Sequence, residues 1–366
     1  MELSRRAFLG TALAAAPCWA AKGDLVPIFD GKTLDGWEQL NGSAKYEVAD
    51  GMIVGTTVPH SANSFLCTKK PYGDFILQFE VRVEANLNSG VQIRSHRYPA
   101  PETSYVWRAN KWWEKHWPSG RVHGYQVEIA NGTHNSGGVF DEGERGWLQE
   151  VDDDPVAGGA FLDSQWNKFR VVAMGDSIKT WVNGIPCADV TDPVDQSGFI
   201  GLQVHEYAGD HPQRVWFRNL RIADLGAHVW RPFALNTAAP VHGPDTTTRL
   251  QFKVIKGSGG LQFRGFEAIL DAGERAGELL DMSTRRPAVS PGISRAYREG
   301  VTHYFKPDGW NELALACHGS RIIVHVNGIR TADLVTMSGA ESGHLRLNVP
   351  EGSDVQVRNV EILQPA

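Results

Sequence analysis

Cysteine is scarce in this chain of 366 residues, and the four cysteines do not form a recognisable framework. Cys18 lies in a segment that export would remove, which leaves Cys67, Cys187 and Cys317 as an odd set. The sequence contains no CxxC pair and no His/Cys ligand spacing, so neither a disulfide-rich fold nor a cysteine-based zinc site is indicated. A chain of this length can bury a sufficient core without covalent cross-links.

The sequence also lacks an excess of positive charge and a long hydrophobic run. It has 36 Lys and Arg residues against 42 Asp and Glu residues, and its formal net charge is -6. No basic patch indicates nucleic-acid binding. The alanine-rich apolar run at residues 11–16 is too short to span a bilayer. We therefore expect a soluble globular protein with no nucleic-acid partner and no membrane span.

Paired arginines stand near the start of the chain. The run SRRAFLG at residues 4–10, followed by the alanine-rich run, has the pattern of a twin-arginine export signal. A small-residue cleavage site near Ala20 predicts a signal peptide over residues 1–21. Cys18 would suit a lipoprotein, but the preceding Pro17 does not fit that motif. Twin-arginine signals are addresses for export, so we expect a periplasmic or extracellular protein.

From residue 24 to about residue 224, short alternating strands are separated by Gly, Pro, Asn and Asp, with no convincing helical stretch. The clearest strand is FILQFEVRV at residues 75–83. Many short strands joined by turn signals predict an all-β sandwich or jelly roll. Twelve tryptophans are the main excess in composition. Most tryptophans are buried in such cores, but exposed ones in secreted proteins often stack on sugar rings.

The run GYQVEIAN at residues 124–131 alternates apolar and polar side chains and predicts a half-buried strand. Residues 91–94 and 200–205 have the same pattern. If these strands are neighbours, one face of one sheet collects six long polar side chains: Gln92, Arg94, Gln126, Glu128, Gln203 and His205. Strand faces that meet water are usually polar, so a solvated outer face is the alternative to a functional site.

A long insertion interrupts the strand pattern between residues 97 and 121, directly before the central strand. A loop of this length inside a compact domain is usually functional. The insertion is rich in tryptophan, with Trp107, Trp112, Trp113 and Trp117. We interpret it as a lid or an aromatic wall for substrate beside Glu128, with a purely structural flap as the alternative.

An internal repeat relates the two halves of the chain. The motifs WN (166–167), VNG (182–184) and AD (188–189) recur with the same spacing at 310–311, 326–328 and 332–333. The Asn-Gly pairs predict hairpin turns. We predict a second, shortened and degenerate domain at residues 248–366, after a linker at residues 225–247. Aligning the copies sets Ile269 opposite Glu128 and Pro350 opposite His205, so the second copy lacks this ionisable pair.

Five motifs of the first half occur in a fixed order: IFDGKTLDGW (28–37), NSGVQIR (88–94), GYQVE (124–128), GLQVH (201–205) and VWFRNL (215–220). Together they resemble the 3-keto-disaccharide hydrolase domain family. That family has a concanavalin-like jelly-roll fold, so the resemblance implies two such sandwich domains in tandem, with residues 24–224 as the catalytic one. Family members often carry Asp where this chain has Asn131, so a role for that carboxylate does not carry over.

The resemblance implies cleavage of 3-keto-glycosides or related glycosides. A ketone at C3 acidifies the C2 proton, so a base can remove it and the C1 oxygen can leave before water adds. This route needs a base, an enolate stabiliser and an acid, rather than the two flanking carboxylates of ordinary glycosidases. Glu128 and His205 then form the acid/base pair, and either one could be the base. Arg94 binds the enolate oxygen, and Gln92, Gln126 and Gln203 bind sugar hydroxyls.

The same residues leave a second interpretation and one chemical question open. The alternative to an enzyme is a secreted glycan-binding protein without catalysis, in which the polar face and the tryptophans only hold sugar. The sequence requires no cofactor, although a divalent metal ion is compatible with it.

Replacing Arg5 and Arg6 by Lys tests the export signal. Because the twin-arginine pathway reads this pair, the variant precursor should accumulate in the cytoplasm. Immunoblotting of cell fractions measures this, and unchanged export of the variant would show that the signal is of another kind.

Overall fold

The computed structural model describes residues 24–85, 87–108, 111–237, 241–242, 245–273, 275–288, 303–336 and 342–366. These residues form thirty strands and one helix of 4 residues. No helix within these ranges is long and apolar enough to cross a membrane. The predicted signal peptide, residues 1–21, lies outside the described residues.

The strands of the first half are, in chain order, β1 (Val26–Pro27), β2 (Trp37–Leu40), β3 (Lys45–Ala49), β4 (Met52–Thr56), β5 (Ser64–Thr68), β6 (Asp74–Val83), β7 (Asn88–Arg97), β8 (Glu102–Arg108), β9 (Lys111–Trp117), β10 (Val122–Ala130), β11 (Val139–Glu142), β12 (Gly146–Gln149), β13 (Asn167–Met174), β14 (Ser177–Val182), β15 (Ile185–Thr191), β16 (Phe199–Val204) and β17 (Arg214–Gly226). The helix α1 (Pro155–Gly158) lies between β12 and β13.

The strands of the second half are β18 (His228–Pro232), β19 (Val241–His242), β20 (Asp245–Lys256), β21 (Gly259–Phe263), β22 (Phe266–Leu270), β23 (Leu279–Asp281), β24 (Arg286–Pro287), β25 (Asn311–His318), β26 (Arg321–Val326), β27 (Ile329–Val335), β28 (Ser342–Gly343), β29 (Arg346–Asn348) and β30 (Asp354–Pro365).

The first half is a sandwich of two antiparallel sheets. One has the order β15-β14-β13-β6-β17-β4-β3, with β1 beside β17, and the other has the order β12-β11-β10-β7-β16-β5-β2. Alternating side chains of both sheets meet in one core, where the rings of Phe79 and Phe169 stack with centroids 5.0 Å apart. The second of these sheets carries the polar side chains of the site on its other face.

The second half is a smaller sandwich with its own core, which includes Phe252 and Leu315. Its sheets have the orders β18-β30-β20-β25-β26-β27 and β24-β23-β22-β21-β29. The predicted fold class, two jelly-roll sandwiches in tandem with the second one shorter, is therefore confirmed. Part of the predicted linker is a strand, because β18 pairs with β30 from His228 to Pro232 and forms an edge of the six-stranded sheet. The remaining domain boundaries stay predictions.

The two sandwiches repeat the same turn chemistry. Asn183 and Asn327 begin the two-residue turns of equivalent hairpins with φ values of 51° and 48°, as the Asn-Gly pairs predicted. Each donates its side-chain amide over 2.8 Å to an asparagine two strands back, Asn167 in the first copy and Asn311 in the second. The duplication thus extends from the sequence motifs to individual hydrogen bonds.

Three buried aspartates of the first sandwich pair with histidines of the second half. The pairs are Asp74 with His228 at 2.6 Å, Asp176 with His318 at 2.9 Å, and Asp192 with His325 at 3.5 Å. All three histidines lie on strands of the six-stranded sheet, β18, β25 and β26. Because a buried carboxylate is costly without a partner, these pairs couple the stability of the two sandwiches.

In the pair of Asp176 and His318, each residue favours the charged form of the other. Burial disfavours both charges, yet the contact with Asp176 raises the pKa of His318. The same contact, together with Thr247, lowers the pKa of Asp176 despite its burial. The pair stabilises the fold while both groups are charged, which is above the unfolded pKa of Asp, about 4, and below that of His, about 6.5. The stabilisation is lost as pH rises through the raised His318 pKa.

His318→Gln should lower the free energy of unfolding by about 3 kcal/mol, because it leaves the buried Asp176 carboxylate short of its partner. The loss should be largest between about pH 4 and 6.5 and should shrink as pH rises through the raised pKa of His318. Urea unfolding at several pH values measures it, with the exposed His211→Gln as the matched control. A loss that is independent of pH would contradict this account of the pair.

Candidate active site

Alternation along three adjacent strands places the predicted glutamines and Glu128 on one face. Val91, Val127 and Leu202 point into the core, so their neighbours along β7, β10 and β16 point outward. Gln92 pairs with Gln126 in the ladder between β7 and β10. These outward side chains are nonetheless buried, which removes the solvated-face interpretation for them.

The outer face is covered because β7 and β10 bend sharply. Arg94 has a φ of 49° and Gly124 a φ of 112°, and the register of the two strands shifts at this point. Such bulges bend a strand and increase its twist. Beyond the bulge, Val122 packs on side chains from the other strands of this sheet: Leu40, Phe65 and Cys67. The polar side chains of this face form one buried cluster, which we call the recess.

Glu128 is the carboxylate of this recess, with only 6% of its surface exposed. Asn88 donates its amide to Oε1 at 2.6 Å, and Gln126 donates to Oε2 at 3.0 Å. Burial raises the pKa of Glu128, and the nearby carboxylate of Glu142 raises it further. The two amides and the charge of His205 oppose this shift without cancelling it. The arrangement fixes the orientation of the carboxylate and makes it a stronger base than a free Glu.

His205 follows β16 at the edge of the recess and is half-buried. Continuing the β16 and β7 ladder from Gly201 and Gln92 brings His205 beside Asn88, whose amide holds Glu128. The Nδ1 atom of His205 lies 2.8 Å from the backbone oxygen of Glu206. In the described chain His205 and Glu128 form no direct hydrogen bond or ion pair, but the charge of His205 acts on the Glu128 carboxylate.

Two side-chain groups in the recess have no hydrogen-bond partner within the described residues. Gln203 is fully buried, and both its amide nitrogen and its amide oxygen are unpaired. The side-chain oxygen of Asn88 is unpaired as well. Leaving a buried donor or acceptor unsatisfied costs about 1–3 kcal/mol. Groups of this kind are suited to a polar ligand with several hydroxyls, which would supply the missing partners.

Arg94 does not share the recess, which corrects the sequence prediction. Its left-handed backbone breaks the strand alternation and turns the side chain between the two sheets. There Nη2 pairs with Asp74 at 3.1 Å, and Nε donates to the Gly73 carbonyl at 2.8 Å. The remaining nitrogen, Nη1, donates to the carbonyls of Gly175 and Asp195. With its three nitrogens so engaged, Arg94 joins the two sheets and cannot bind an enolate oxygen beside Glu128.

The predicted tryptophan insertion is a two-stranded hairpin of β8 and β9, and its tryptophans go to different places. Trp112 packs against the second sandwich, with its ring centroid 6.2 Å from that of Tyr304. Trp113 is 46% exposed, and the Lys111 ammonium lies 4.6 Å from its ring centroid. Trp117 donates to the Ser104 hydroxyl at 2.9 Å. The Trp107 side chain lies outside what the structure describes.

Trp117 is the aromatic residue that connects the hairpin to the recess. The Arg121 guanidinium lies 5.1 Å from its ring centroid and pairs with Glu142. Glu142 in turn accepts from Asn63 at 3.3 Å. The hairpin thus lies beside the recess, as the prediction of an aromatic wall requires, but only part of it can face a sugar.

Sequence reasoning missed Asn88 and Glu142 as members of the site. Asn88 could have been predicted, because it lies four residues before Gln92 on the same strand, and alternation places both side chains on the same face. Glu142 was not, because only the bend of β10 brings β11 to this position. Asn131, where relatives often have Asp, donates to the Glu84 carbonyl at 2.7 Å and accepts from the Ser164 amide. It therefore holds a loop of the sandwich.

The described residues contain no group of three or more His, Cys, Asp or Glu side chains arranged to hold a metal ion. The polar groups of the recess are mainly neutral amides, which suit a neutral polyhydroxylated ligand.

The family that matches this chain is described as the 3-keto-alpha-glucoside-1,2-lyase-like domain, and it covers residues 24–223 and 238–363. The chain belongs to this family. A search of curated proteins finds no match. The two matched segments correspond closely to the two sandwiches.

Several solved structures are similar to about half of this chain. A Bacillus subtilis protein with a galectin-like fold has 11% identity and a TM-score of 0.39, over 55% of this chain and 96% of its own. The Bacillus subtilis carbohydrate-binding module CBM66 has 16% identity and a TM-score of 0.35, over 51% and 95%. A Parabacteroides distasonis protein provisionally called a glycosyl hydrolase has 18% identity and a TM-score of 0.36, over 56% and 95%.

Arg94→Gln tests the corrected role of this arginine. Removing the guanidinium leaves Asp74 and several buried carbonyls short of donors, so the free energy of unfolding should fall by about 3–5 kcal/mol. Glu128→Gln, which keeps the size of its side chain, serves as the control and should unfold near the wild-type midpoint. Urea unfolding measures both. A stable Arg94→Gln protein that loses only activity would restore the catalytic role.

Proposed function

We propose that the first sandwich of this lyase-like protein cleaves 3-keto-glycosides by removing the C2 proton and eliminating the C1 oxygen. The observation that carries the proposal is the Glu128 carboxylate. It is buried, its pKa is raised, and two amides fix its orientation beside His205. A surface that only binds neutral sugar needs no such perturbed ionisable group.

The reaction proceeds through an enolate. The ketone at C3 withdraws electrons, so a base can take the proton from C2 and leave the electron pair on the C3 oxygen. When this pair returns, a double bond forms between C1 and C2, and the bond from C1 to the glycosidic oxygen breaks. The leaving oxygen takes up a proton. Water can then add across the double bond, so that the overall outcome is hydrolysis.

Glu128 is the base in this proposal. Its raised pKa brings it closer to neutrality than the ordinary value of about 4.3, and a base is most effective when its pKa lies near the working pH. Asn88 and Gln126 hold one oxygen each, so the carboxylate keeps one orientation while it accepts the proton. Both amides can adjust their hydrogen bonds to the neutral acid that results.

The unpaired amide of Gln203 replaces Arg94 as the group assigned to the developing enolate oxygen. Its nitrogen is buried and unpaired within the described chain, so a substrate oxygen would take up a donor that has no other use. Donors placed where charge develops contribute about 3–4 kcal/mol to transition-state stabilisation. Gln92 and Gln126 remain available to the sugar hydroxyls.

His205 is assigned as the acid for the leaving oxygen. It lies at the edge of the recess and is half-buried, where the aglycone would extend toward solvent. An imidazole can carry a proton near neutral pH and release it to an alkoxide. The proton taken by Glu128 and the proton given by His205 balance over the elimination, and exchange with solvent resets both groups.

Glu128→Gln and His205→Asn should each lower kcat by about 100- to 10,000-fold on a 3-keto-glucoside, because each removes one acid/base group. Both proteins should keep nearly wild-type stability and substrate affinity. Trp113→Ala should leave kcat near wild type and weaken binding by about 1 kcal/mol through lost stacking. If the protein only binds glycan, the order is reversed, with the tryptophan variant most affected. Steady-state kinetics and calorimetry on the three variants decide between the two functions.

The pH dependence of kcat/KM gives an independent test. The base must be deprotonated, so kcat/KM should fall as pH decreases through the pKa of Glu128, above the ordinary value of about 4.3. This acidic limb should be absent from the residual activity of Glu128→Gln. An acidic limb that persists unchanged in this variant would assign the base to another group.

A further inference from the structure

The second sandwich repeats the three amide positions of the recess. In the first copy, Gly90 is opposite Glu128 and Gln92 is opposite Gln126. In the second copy, Gly260 is opposite Ile269 and Gln262 is opposite Glu267. Strand β29 lies beside β21 as β16 lies beside β7, and Asn348 is opposite Gly260. By this register Gln92, Gln126 and Gln203 correspond to Gln262, Glu267 and Asn348.

One contact is repeated in the two sets, whereas Asn348 donates to Glu267 and its counterpart Gln203 is unpaired among the described residues. The Gln92 and Gln126 amides lie 3.0 Å apart, and the Gln262 amide nitrogen lies 3.1 Å from Glu267 Oε1. In both copies the central side chain fills the space above a glycine. A Cβ on Gly90 would come within 2.4 Å of Gln126, and one on Gly260 would come within 2.4 Å of Glu267.

The positions that differ are those with acid/base roles. The register sets Ile269 in place of Glu128, as the sequence alignment predicted, and Pro350 in place of His205. The second copy has thus lost the groups assigned to proton transfer. It has kept polar side chains at the positions of Gln92 and Gln126, which are assigned to sugar hydroxyls, and at the position of Gln203, and a carboxylate replaces the amide of Gln126.

Glu267 is only 5% exposed, yet only one of its two carboxylate oxygens accepts hydrogen bonds from the described residues. Asn348 donates to Oε1 at 2.8 Å, as does Gln262 at 3.1 Å. Oε2 accepts no hydrogen bond from any residue that the structure describes. Glu128 differs, because each of its oxygens has one donor. An acceptor oriented by two amides and left open on one side is suited to a ligand hydroxyl.

The surroundings of Glu267 leave a ligand room to approach. Gln262 and Asn348 are half-exposed, and Arg346, which stands in the register of Gly201, is exposed. A carboxylate beside two amides and a guanidinium offers both donors and acceptors. That set matches adjacent hydroxyls of a hexopyranose ring rather than an ion of one sign.

We propose that Gln262, Glu267 and Asn348 form a second, non-catalytic binding site for a neutral hexopyranoside. This inference rests on the proposed function for the assignment of the glutamines in the first recess to sugar hydroxyls. The second site holds sugar without cleaving it, and it would keep a substrate with several sugar units on the same molecule as the catalytic recess.

Binding stoichiometry tests this proposal on the full chain. The probe is methyl 3-keto-α-D-glucopyranoside, titrated by calorimetry into Glu128→Gln protein so that it is not consumed. Two sites per chain are expected. Adding Glu267→Leu should reduce them to one, and adding Asn348→Ala should weaken the second site by about tenfold, since it removes one donor that orients the carboxylate. Glu351→Gln, at an exposed position in the turn after β29, is the matched control and should keep both sites.

The outcomes separate this inference from the proposed function. One site in the Glu128→Gln protein, with binding unaffected by Asn348→Ala, would overturn the second site whatever the turnover of the wild type. If Glu267→Leu fails to fold, the half-exposed Asn348→Ala gives the answer alone. Two sites, one of them sensitive to Asn348→Ala, would support the second site even if the wild type does not turn over the probe.

Discussion

The buried guanidinium of Arg94 links the two sheets of the first sandwich, and other features of the structure depend on this link. Arg94 lies on the sheet that carries the site, but its backbone conformation sends its side chain between the sheets to Asp74 on the opposite one. Asp74 also pairs with His228 at the start of the second sandwich. The same turn of the backbone bends β7, and this bend covers the outer face of the sheet. Arg94 therefore contributes to three features. It joins the two sheets, it pairs with the aspartate that contacts the second sandwich, and its backbone turn helps to cover the recess.

The recess combines two kinds of polar group with different consequences. Amides dominate its lining, and most of them satisfy one another or hold the carboxylate. The carboxylate is the costly member, because its charge is disfavoured by burial and by Glu142. Natural proteins seldom keep such a group in a site where an apolar residue would be more stable, unless the group has a function. In the second copy Ile269 stands in place of Glu128, so the sandwich does not require a carboxylate at that position.

Much of the fold could be predicted from the sequence, because alternation and Asn-Gly turns are local signals. The central strand, the outward placement of Gln92, Gln126, Glu128 and Gln203, and the correspondence of Ile269 to Glu128 all follow from period-two patterns. Arg94 was misplaced for the same reason, since alternation assumes a regular strand. A positive φ at a non-glycine residue leaves no clear trace in sequence. The pairing of aspartates with distant histidines depends on how two sandwiches dock, which no local pattern encodes.

The amide lining of the recess has one further consequence. Side-chain amides have no charge to gain or lose across the ordinary pH range, and they recruit no counterions from solution. A sugar held by them is held almost equally in dilute and concentrated salt, and in mildly acidic and mildly alkaline surroundings. Under the proposed function, binding and catalysis would therefore respond differently to the surroundings: pH would change how fast a bound sugar reacts, while the amount of bound sugar would stay nearly constant.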